Sequence, residues 1–423
     1  MNLSLDYDAV VIGAGTAGLV AATRLAQAGI NVCVLAKGIG STHLAPGTID
    51  VLGYGPEPID SPREGLAALL SARPDHPYGL IGIDLVSEAL DWFVTTAAAG
   101  PFDGYSYIGG IERNLLLPNP LGVLRRSALV PATMAAGERG QLRRVCIVGT
   151  PSLRDFQASL CAANLQMAGI EARAISLELE LEYPDVNALG VARHLDDERW
   201  RGRFCARLAP LLQPGEHVGL PAILGVIDPH RVMNDLEQRL ERRVFEIPTL
   251  PPSVPGIRLY EILRSALRQA GGRLVLGAEV VSHTRSGERI ASVSTRASGH
   301  YVSYRADWFV LASGGFASGA IALDSHWVTS ERVLNLALEG IPAADEPRFR
   351  SSYLDQQPLS RAGVAVDRGL RARGLENVMV AGAALPGAAP AREGSGEGLA
   401  LSSGYLAAET ISATQDPRKK ALT

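Results

Sequence analysis

The stretch Asp6-Tyr7-Asp8-Ala9-Val10-Val11-Ile12-Gly13-Ala14-Gly15-Thr16-Ala17-Gly18, followed by Leu19 to Gly29 and Ile30 to Ala36, decides the fold. An apolar, β-branched run predicts a strand, an alanine-rich run predicts a helix, and Ile30 to Ala36 predicts a second strand. The three glycines between the first strand and the helix have the spacing G-x-G-x-x-G. Gly13 permits the tight turn, Gly15 lets the backbone approach a pyrophosphate, and Gly18 lets the helix lie close to the strand. The helix N-terminus adds unpaired N–H groups and a partial positive charge, both of which favour an anion. Because the glycines sit between a strand and a helix in a βαβ unit of roughly 30 residues, they predict a bound nucleotide-type cofactor. The residues expected to touch it are Gly13, Ala14, Gly15, Thr16, Ala17 and Gly18.

One part of the fingerprint is missing. An Asp or Glu normally closes the second strand and hydrogen-bonds a ribose hydroxyl, whereas here Val32-Cys33-Val34-Leu35 runs into Ala36-Lys37-Gly38. Lys37 either attracts a phosphate or is an exposed strand-end lysine.

The chain has 423 residues, a formal net charge of −4, 47% apolar residues and 20% charged residues. That size allows two domains and a large core, and the near-neutral balance leaves no basic footprint for nucleic acid. The cysteines, Cys33, Cys146, Cys161 and Cys205, are far apart and form no C-x-x-C pair. No metal or iron–sulfur site is therefore expected, and Cys33 and Cys146, within apolar strand patterns, are expected to be buried thiols of a reducing compartment. Asp6 and Asp8 give the wrong charge ahead of the apolar Ala9–Thr23 run for a signal peptide, and Arg24 cuts it short for a membrane helix. No other stretch reaches the length of a membrane helix, so any membrane association is expected to be peripheral or through a partner.

A glycine-rich loop from Gly38 to Pro62 carries Ser41, Thr42, His43, Gly47 and Thr48 and is expected to face the cofactor. Helices are predicted over Arg63–Ala72 and Leu80–Ala98, with a turn at Asp75–Gly79 between them. Residues 100–143 read as irregular. The middle third then alternates: strands at Arg144–Gly149, Glu171–Leu177, Val218–Leu224 and Arg243–Ile247, and helices at Leu153–Ala168 and Pro229–Glu241. This predicts a small, mostly parallel sheet of its own. Gly149 and Ser152 mark either an anion site or a simple helix N-cap. The proline-rich segment Ile247-Pro248-Thr249-Leu250-Pro251-Pro252-Ser253-Val254-Pro255-Gly256-Ile257-Arg258 predicts a stiff, extended return to the first domain. A helix over Leu259–Ala270 should follow. Three antiparallel strands (Arg273–His283, Arg289–Arg296, Tyr301–Arg305) come next, with turns at Ser286-Gly287 and Ser298-Gly299. A strand from Asp307 to Ala312 then ends in Ser313-Gly314-Gly315. Asn377–Gly382 is a further strand that feeds Gly387, Gly394, Gly396, Gly398 and Leu399, then a helix over Ala400–Ile411.

The expected fold class is α/β: a Rossmann-like flavoprotein domain with a three-stranded β-meander, made of residues 1–62 and 256–415, plus an inserted smaller α/β domain at 63–255. Residues 416–423 form a polar tail. Gly314, Gly382, Gly387, Gly394, Gly396, Gly398 and Leu399 join the first glycine loop, Lys37, Gly38, Ser41, Thr42, Gly47 and Thr48 as cofactor candidates.

The opening fingerprint, Pro46-Gly47-Thr48-Ile49-Asp50-Val51-Leu52, His76-Pro77-Tyr78, Val148-Gly149 through Ala158, Leu250-Pro251-Pro252-Ser253-Val254-Pro255-Gly256 and Leu311-Ala312-Ser313-Gly314 together carry a likeness that runs almost end to end. On these residues the chain resembles the B subunit of the anaerobic glycerol-3-phosphate dehydrogenase of bacteria. The resemblance implies an FMN-dependent flavoprotein, with FAD as the alternative, within an enzyme that oxidises glycerol 3-phosphate to dihydroxyacetone phosphate. It further implies two partners and electron transfer to the quinone pool. One partner is a related, FAD-binding subunit; the other is an iron–sulfur, membrane-anchoring subunit that holds the complex at the cytoplasmic face of the inner membrane.

Oxidising a secondary alcohol on a flavin requires a base for the hydroxyl proton, and a histidine titrating near neutrality suits the task. His43 is the first candidate and His76 the second; the alternative for each is a structural role. The substrate phosphate needs a cationic fork. Arg258 is the first candidate for it and Arg392 the second, the alternative being ordinary salt bridges. Two other functional classes fit the same glycine loops. One is an electron-relay or scaffold subunit. The other is a fumarate-reductase-like FAD enzyme, which Ala36 and Ala383 disfavour because acidic residues are expected there.

Overall fold

The computed structural model describes residues 3–181, 186–297, 300–343, 345–352 and 354–415. The expected tail at 416–423 and the turn at Ser298-Gly299 lie outside them. The chain forms two compact units: one of Met1–Ser41, Arg63–Leu90 and Leu263–Thr423, the other of Thr42–Pro62 and Asp91–Ile262.

The first unit is built on the βαβ start. Strand β1 (Leu3–Ile12), helix α1 (Thr16–Gln27) and strand β2 (Val32–Ala36) follow one another, and Val10, Val11, Val34 and Leu35 are fully buried. Strands apolar on both faces belong inside a parallel sheet covered by helices. Five further strands complete it: β3 (Arg273–Leu276), β4 (Val280–Ser286), β5 (Arg289–Ala297), β6 (His300–Leu311) and β7 (Val378–Val380). The order is β3-β2-β1-β6-β5-β4, with β7 also on β6. Strands β3, β2, β1, β6 and β7 run parallel, whereas β6, β5 and β4 form the antiparallel meander.

The expected strand Arg273–His283 is two strands. Gly277 turns with φ +78°, Ala278 N–H donates to the Ala36 carbonyl at 2.9 Å, and Arg273–Leu276 lies parallel on β2 instead of joining the meander. Conversely, Tyr301–Arg305 and Asp307–Ala312 fuse into the single strand β6. Its first half pairs with β5, and Phe309–Leu311 pair with β7. The C-terminal helix α2 (Gly396–Gln415) starts four residues earlier than expected.

The second unit has a four-stranded, all-parallel sheet in the order Val244–Ile247, His217–Pro221, Arg144–Gly149, Glu171–Ser176. Its core joins Val145, Ile147 and Phe245 to Leu165, Leu195, Phe204 and Leu236 from the surrounding helices. The helix expected from Leu153 begins at Ala158, because Leu153 and Phe156 are buried through turns instead. Its N-cap is Gln157, so Ser152 does not cap it. Residues 100–143, read as irregular, contain two antiparallel pairs: Tyr107–Gly109 with Leu129–Pro131, and Leu115–Pro118 with Leu124–Ser127. The extended connector is shorter than its prolines suggest. The helix Val254–Gln269 begins inside it, with the Ser253 hydroxyl accepting from Gly256 N–H at 3.2 Å.

Compactness divides the chain differently from the expected boundaries. Ile49 bridges to Leu129, and Asn114 donates to the Leu52 and Ile59 carbonyls, which draws Thr42–Pro62 into the second unit. Arg73 and His76 bond to Glu393, which draws Arg63–Leu90 into the first.

Candidate functional site

Three turns of the first unit meet at the C-terminal edge of β1, β6 and β7, the edge where open parallel sheets bind their ligands. Gly13 (φ +116°) donates its N–H to the Leu35 carbonyl at 2.8 Å, and a Cβ there would collide with the Ala312 carbonyl. A Cβ on Gly18 would collide with the Gly13 carbonyl, so α1 can approach the sheet only with glycine at that position. Gly15 is different. It is the N-cap of α1 with ordinary angles (φ −77°, ψ −178°), and a Cβ on it would meet nothing within 4 Å. The second glycine of the fingerprint therefore borders open space.

The turn after β7 and helix α2 close on the first turn of α1. A Cβ on Gly382 would lie 2.9 Å from the Ala17 Cβ, and one on Gly404 would collide with the Ala17 carbonyl, which lets α2 lie along α1. Gly382 N–H donates to the Ser403 hydroxyl at 2.8 Å, and Thr16 donates its hydroxyl to Glu397 at 2.6 Å. Two helix N-termini thus stand side by side, each adding positive potential. Next to Gly13, the buried hydroxyl of Ser313 has no hydrogen-bond partner among the described residues. Open space at Gly15, amide groups at a helix start and an unpartnered buried hydroxyl fit a phosphorylated cofactor.

The remaining candidates divide by unit. Lys37 pairs with Glu279 at 2.9 Å, both well exposed, which matches the strand-end alternative. Gly38 borders open space, Ser41 is exposed, and Gly40 packs against the Gly15 backbone. In the second unit Thr42 is buried, Gly47 (φ +84°) packs on Pro255, and Thr48 donates to Asp50 at 2.9 Å. His43 also lies in that unit. It is half-buried, its carbonyl accepts from Ser253 N–H, and its buried Nδ1 has no partner among the described residues.

Arg258 is wholly buried. It forms an ion pair with Glu246 at 2.6 Å and donates twice to the Gly225 carbonyl, at 3.0 and 2.6 Å. Burial disfavours its cation, but Glu246 more than offsets this and holds it firmly protonated. Its fork is spent on the protein, and a structural ion pair replaces the expected phosphate clamp. Arg392 is exposed and donates to the Leu354 carbonyl.

His76, fully buried, caps the short helix Pro77–Ile81: its Nδ1 accepts from Tyr78 N–H at 3.3 Å. That acceptor role leaves the proton on Nε2, which faces Glu393 at 3.3 Å. Burial pushes the Glu393 carboxyl up, but bonds from His76, Ala389 N–H and the Ser395 hydroxyl outweigh this and hold it below the usual range. Arg73 also reaches Glu393, at 3.3 Å, and donates to the Gly387 carbonyl. Gly387 in turn donates its N–H to the Arg361 carbonyl at 2.9 Å. Gly394 (φ +58°) ends the short helix Pro390–Glu393, and Gly396, Gly398 and Leu399 form the first turn of α2. The cationic cluster and the cofactor cradle therefore flank one helix start. Local spacing gives no sign of Arg73, Arg361 or Glu393, which meet only through the tertiary fold.

Residues 8–399 match the family model described as FAD binding domain. The chain is 29% identical to the protein of Vibrio cholerae named as the B subunit of anaerobic glycerol-3-phosphate dehydrogenase, over 98% of this chain and 99% of the relative. It is 31% identical to the protein of the same name from Yersinia enterocolitica (96% and 98% covered). It is 30% identical to the protein of Halobacterium salinarum that bears this name with the prefix "probable" (96% and 97% covered). Among the described residues, no helix is long and apolar enough to cross a membrane.

Proposed function

The chain belongs to the FAD binding domain family and to that of the B subunit of anaerobic glycerol-3-phosphate dehydrogenase, and from this premise we propose that it takes part in oxidising glycerol 3-phosphate to dihydroxyacetone phosphate. It is a flavin-dependent dehydrogenase subunit. A bound flavin would supply the hydride acceptor for the carbinol carbon. The N–H groups at Gly15, Thr16 and Ala17 hold its phosphate, and Thr16 fixes Glu397 beside them. FMN is the proposed form: the strand end at Ala36 lacks the ribose carboxylate, although the intact glycine fingerprint is equally suited to FAD. His43 is proposed as the proton acceptor because one of its ring nitrogens is unpartnered; His76 is proposed to position Glu393. Electrons are proposed to leave through an FAD-binding partner and an iron–sulfur partner to quinone, with fumarate or nitrate as terminal acceptor. The iron–sulfur partner would hold the complex at the cytoplasmic face of the inner membrane.

The observation that carries the reading is the convergence of the cradle and a cationic cluster on the first turn of α2. Two measurements test it. Acid release of the cofactor from purified chain identifies FMN or FAD. Anaerobic addition of glycerol 3-phosphate should bleach the flavin of the isolated chain. Bleaching only when the FAD-binding partner is added would reassign this chain to electron relay.

A further inference from the structure

Two features of the first unit play no part in the flavin cradle: a second arginine near Arg73, and a glutamine set against that second arginine. The backbone of Gly387 joins the two arginines, its carbonyl accepting from the Arg73 guanidinium and its N–H donating to the Arg361 carbonyl. Both side chains are half-buried. With its amide oxygen turned toward Arg361, Gln356 accepts from Nη2 at 3.0 Å and from Nε at 2.6 Å. A neutral amide thus occupies a fork whose geometry matches an oxyanion. The buried carboxylate nearby, Glu393, is shared by Arg73, His76 and Ser395. Burial first, and then the like charge of Arg73, make the Arg361 cation harder to hold than usual. The carboxylates of Glu393 and Asp75 act on Arg361 in the opposite sense and only partly offset this.

We infer that Arg73 and Arg361 form the clamp for the phosphate of a phosphorylated polyol, which displaces the Gln356 amide on binding. The identity of the polyol rests on the glycerol 3-phosphate reading; the anion site rests on the arginines alone. The clamp adjoins Glu393 and Ser395, immediately before the helix whose Glu397 bonds to Thr16 of the cofactor loop. The anionic end of the substrate and the flavin phosphate would then be held from opposite sides of one helix start.

Calorimetric titration of flavin-loaded protein with sn-glycerol 3-phosphate, inorganic phosphate and glycerol tests this. Both phosphate probes should bind and glycerol should not. Arg73→Gln and Arg361→Gln should each weaken both phosphate probes by at least about tenfold, with partial recovery in Arg361→Lys. Gln356→Glu, which sets a carboxylate on the fork, should lose at least about tenfold while melting like wild type. The exposed control Arg203→Gln should bind normally. Wild-type affinity in the two Arg→Gln variants, or no phosphate binding by wild type, overturns the clamp. Arginine-dependent binding of inorganic phosphate, with glycerol 3-phosphate no tighter, supports the clamp and counts against the substrate reading. Tight glycerol 3-phosphate binding indifferent to both arginines does the reverse.

Discussion

Replacing Gly15 with alanine separates the cofactor role of the fingerprint from its structural role. The backbone at Gly15 (φ −77°, ψ −178°) is open to any L-residue, and the added methyl meets no protein atom within 4 Å. Folding should therefore be unharmed, and loss of unfolded-state freedom should add about 0.4–1 kcal/mol. The same methyl enters the space through which a phosphate reaches the helix N–H groups. Losing one hydrogen bond to a charged group costs about 1.5–3 kcal/mol, which is roughly a 10- to 150-fold loss of flavin affinity. Gly13→Ala is the contrast, since φ +116° and a collision with the Ala312 carbonyl strain the fold itself. The assay is flavin-to-protein ratio by absorbance, set beside thermal melting of the flavin-free protein. Two results would refute the reasoning: a Gly15→Ala protein that retains flavin at wild-type affinity, or one that is as unstable as Gly13→Ala.

Arg258→Met should destabilise the second unit by about 3–5 kcal/mol, because it leaves Glu246 buried and unpaired. Arg258→Met/Glu246→Leu should recover most of that loss in urea unfolding, and a double variant no more stable than the single one would deny the coupling. Glu393 has its carboxyl held below the ordinary value of 4.5 in the folded state, so its contribution is present above about pH 4.5 and fades as pH falls through the lower folded value. Glu393→Gln should flatten the acid limb of a stability–pH curve, and an unchanged limb would contradict the assignment. Burial pushes the Cys161 thiol up to about 12, and Cys146 and Cys205 up to about 11. Iodoacetamide at pH 8 should leave these three unmodified until urea is added; rapid labelling of the native protein would show them accessible.

The parts legible in the sequence are those whose chemistry is local. The glycine spacing, the strand before it and the alanine-rich helix each constrain their neighbours directly, so α1 and β2 lie where expected. The meander is readable from alternation and turns, but the placement of Arg273–Leu276 on β2 is not, because it depends on a positive φ at Gly277 and on a distant edge. Arg258 misleads because an arginine's pattern does not reveal that Glu246 is buried beside it. Arg73 and Arg361 are invisible for the opposite reason: nothing local links them, and they meet through one glycine backbone.

The pairing of β1 with β6 fixes an order of events during synthesis. Strand β2 is made at once, but Thr16 and its partner Glu397 are 381 residues apart, with the whole inner unit between them. At about 5–20 residues per second, a nascent chain waits roughly 20–75 s between making the first glycine loop and making the segment that completes it. One flank of the strongly apolar β1 stays open for the part of that interval before β6 is made, a surface that chaperones or early release would influence. Flavin loading then waits for the segment that carries Glu397, and slowed elongation in the inner unit should lower the yield of yellow protein without changing its final stability.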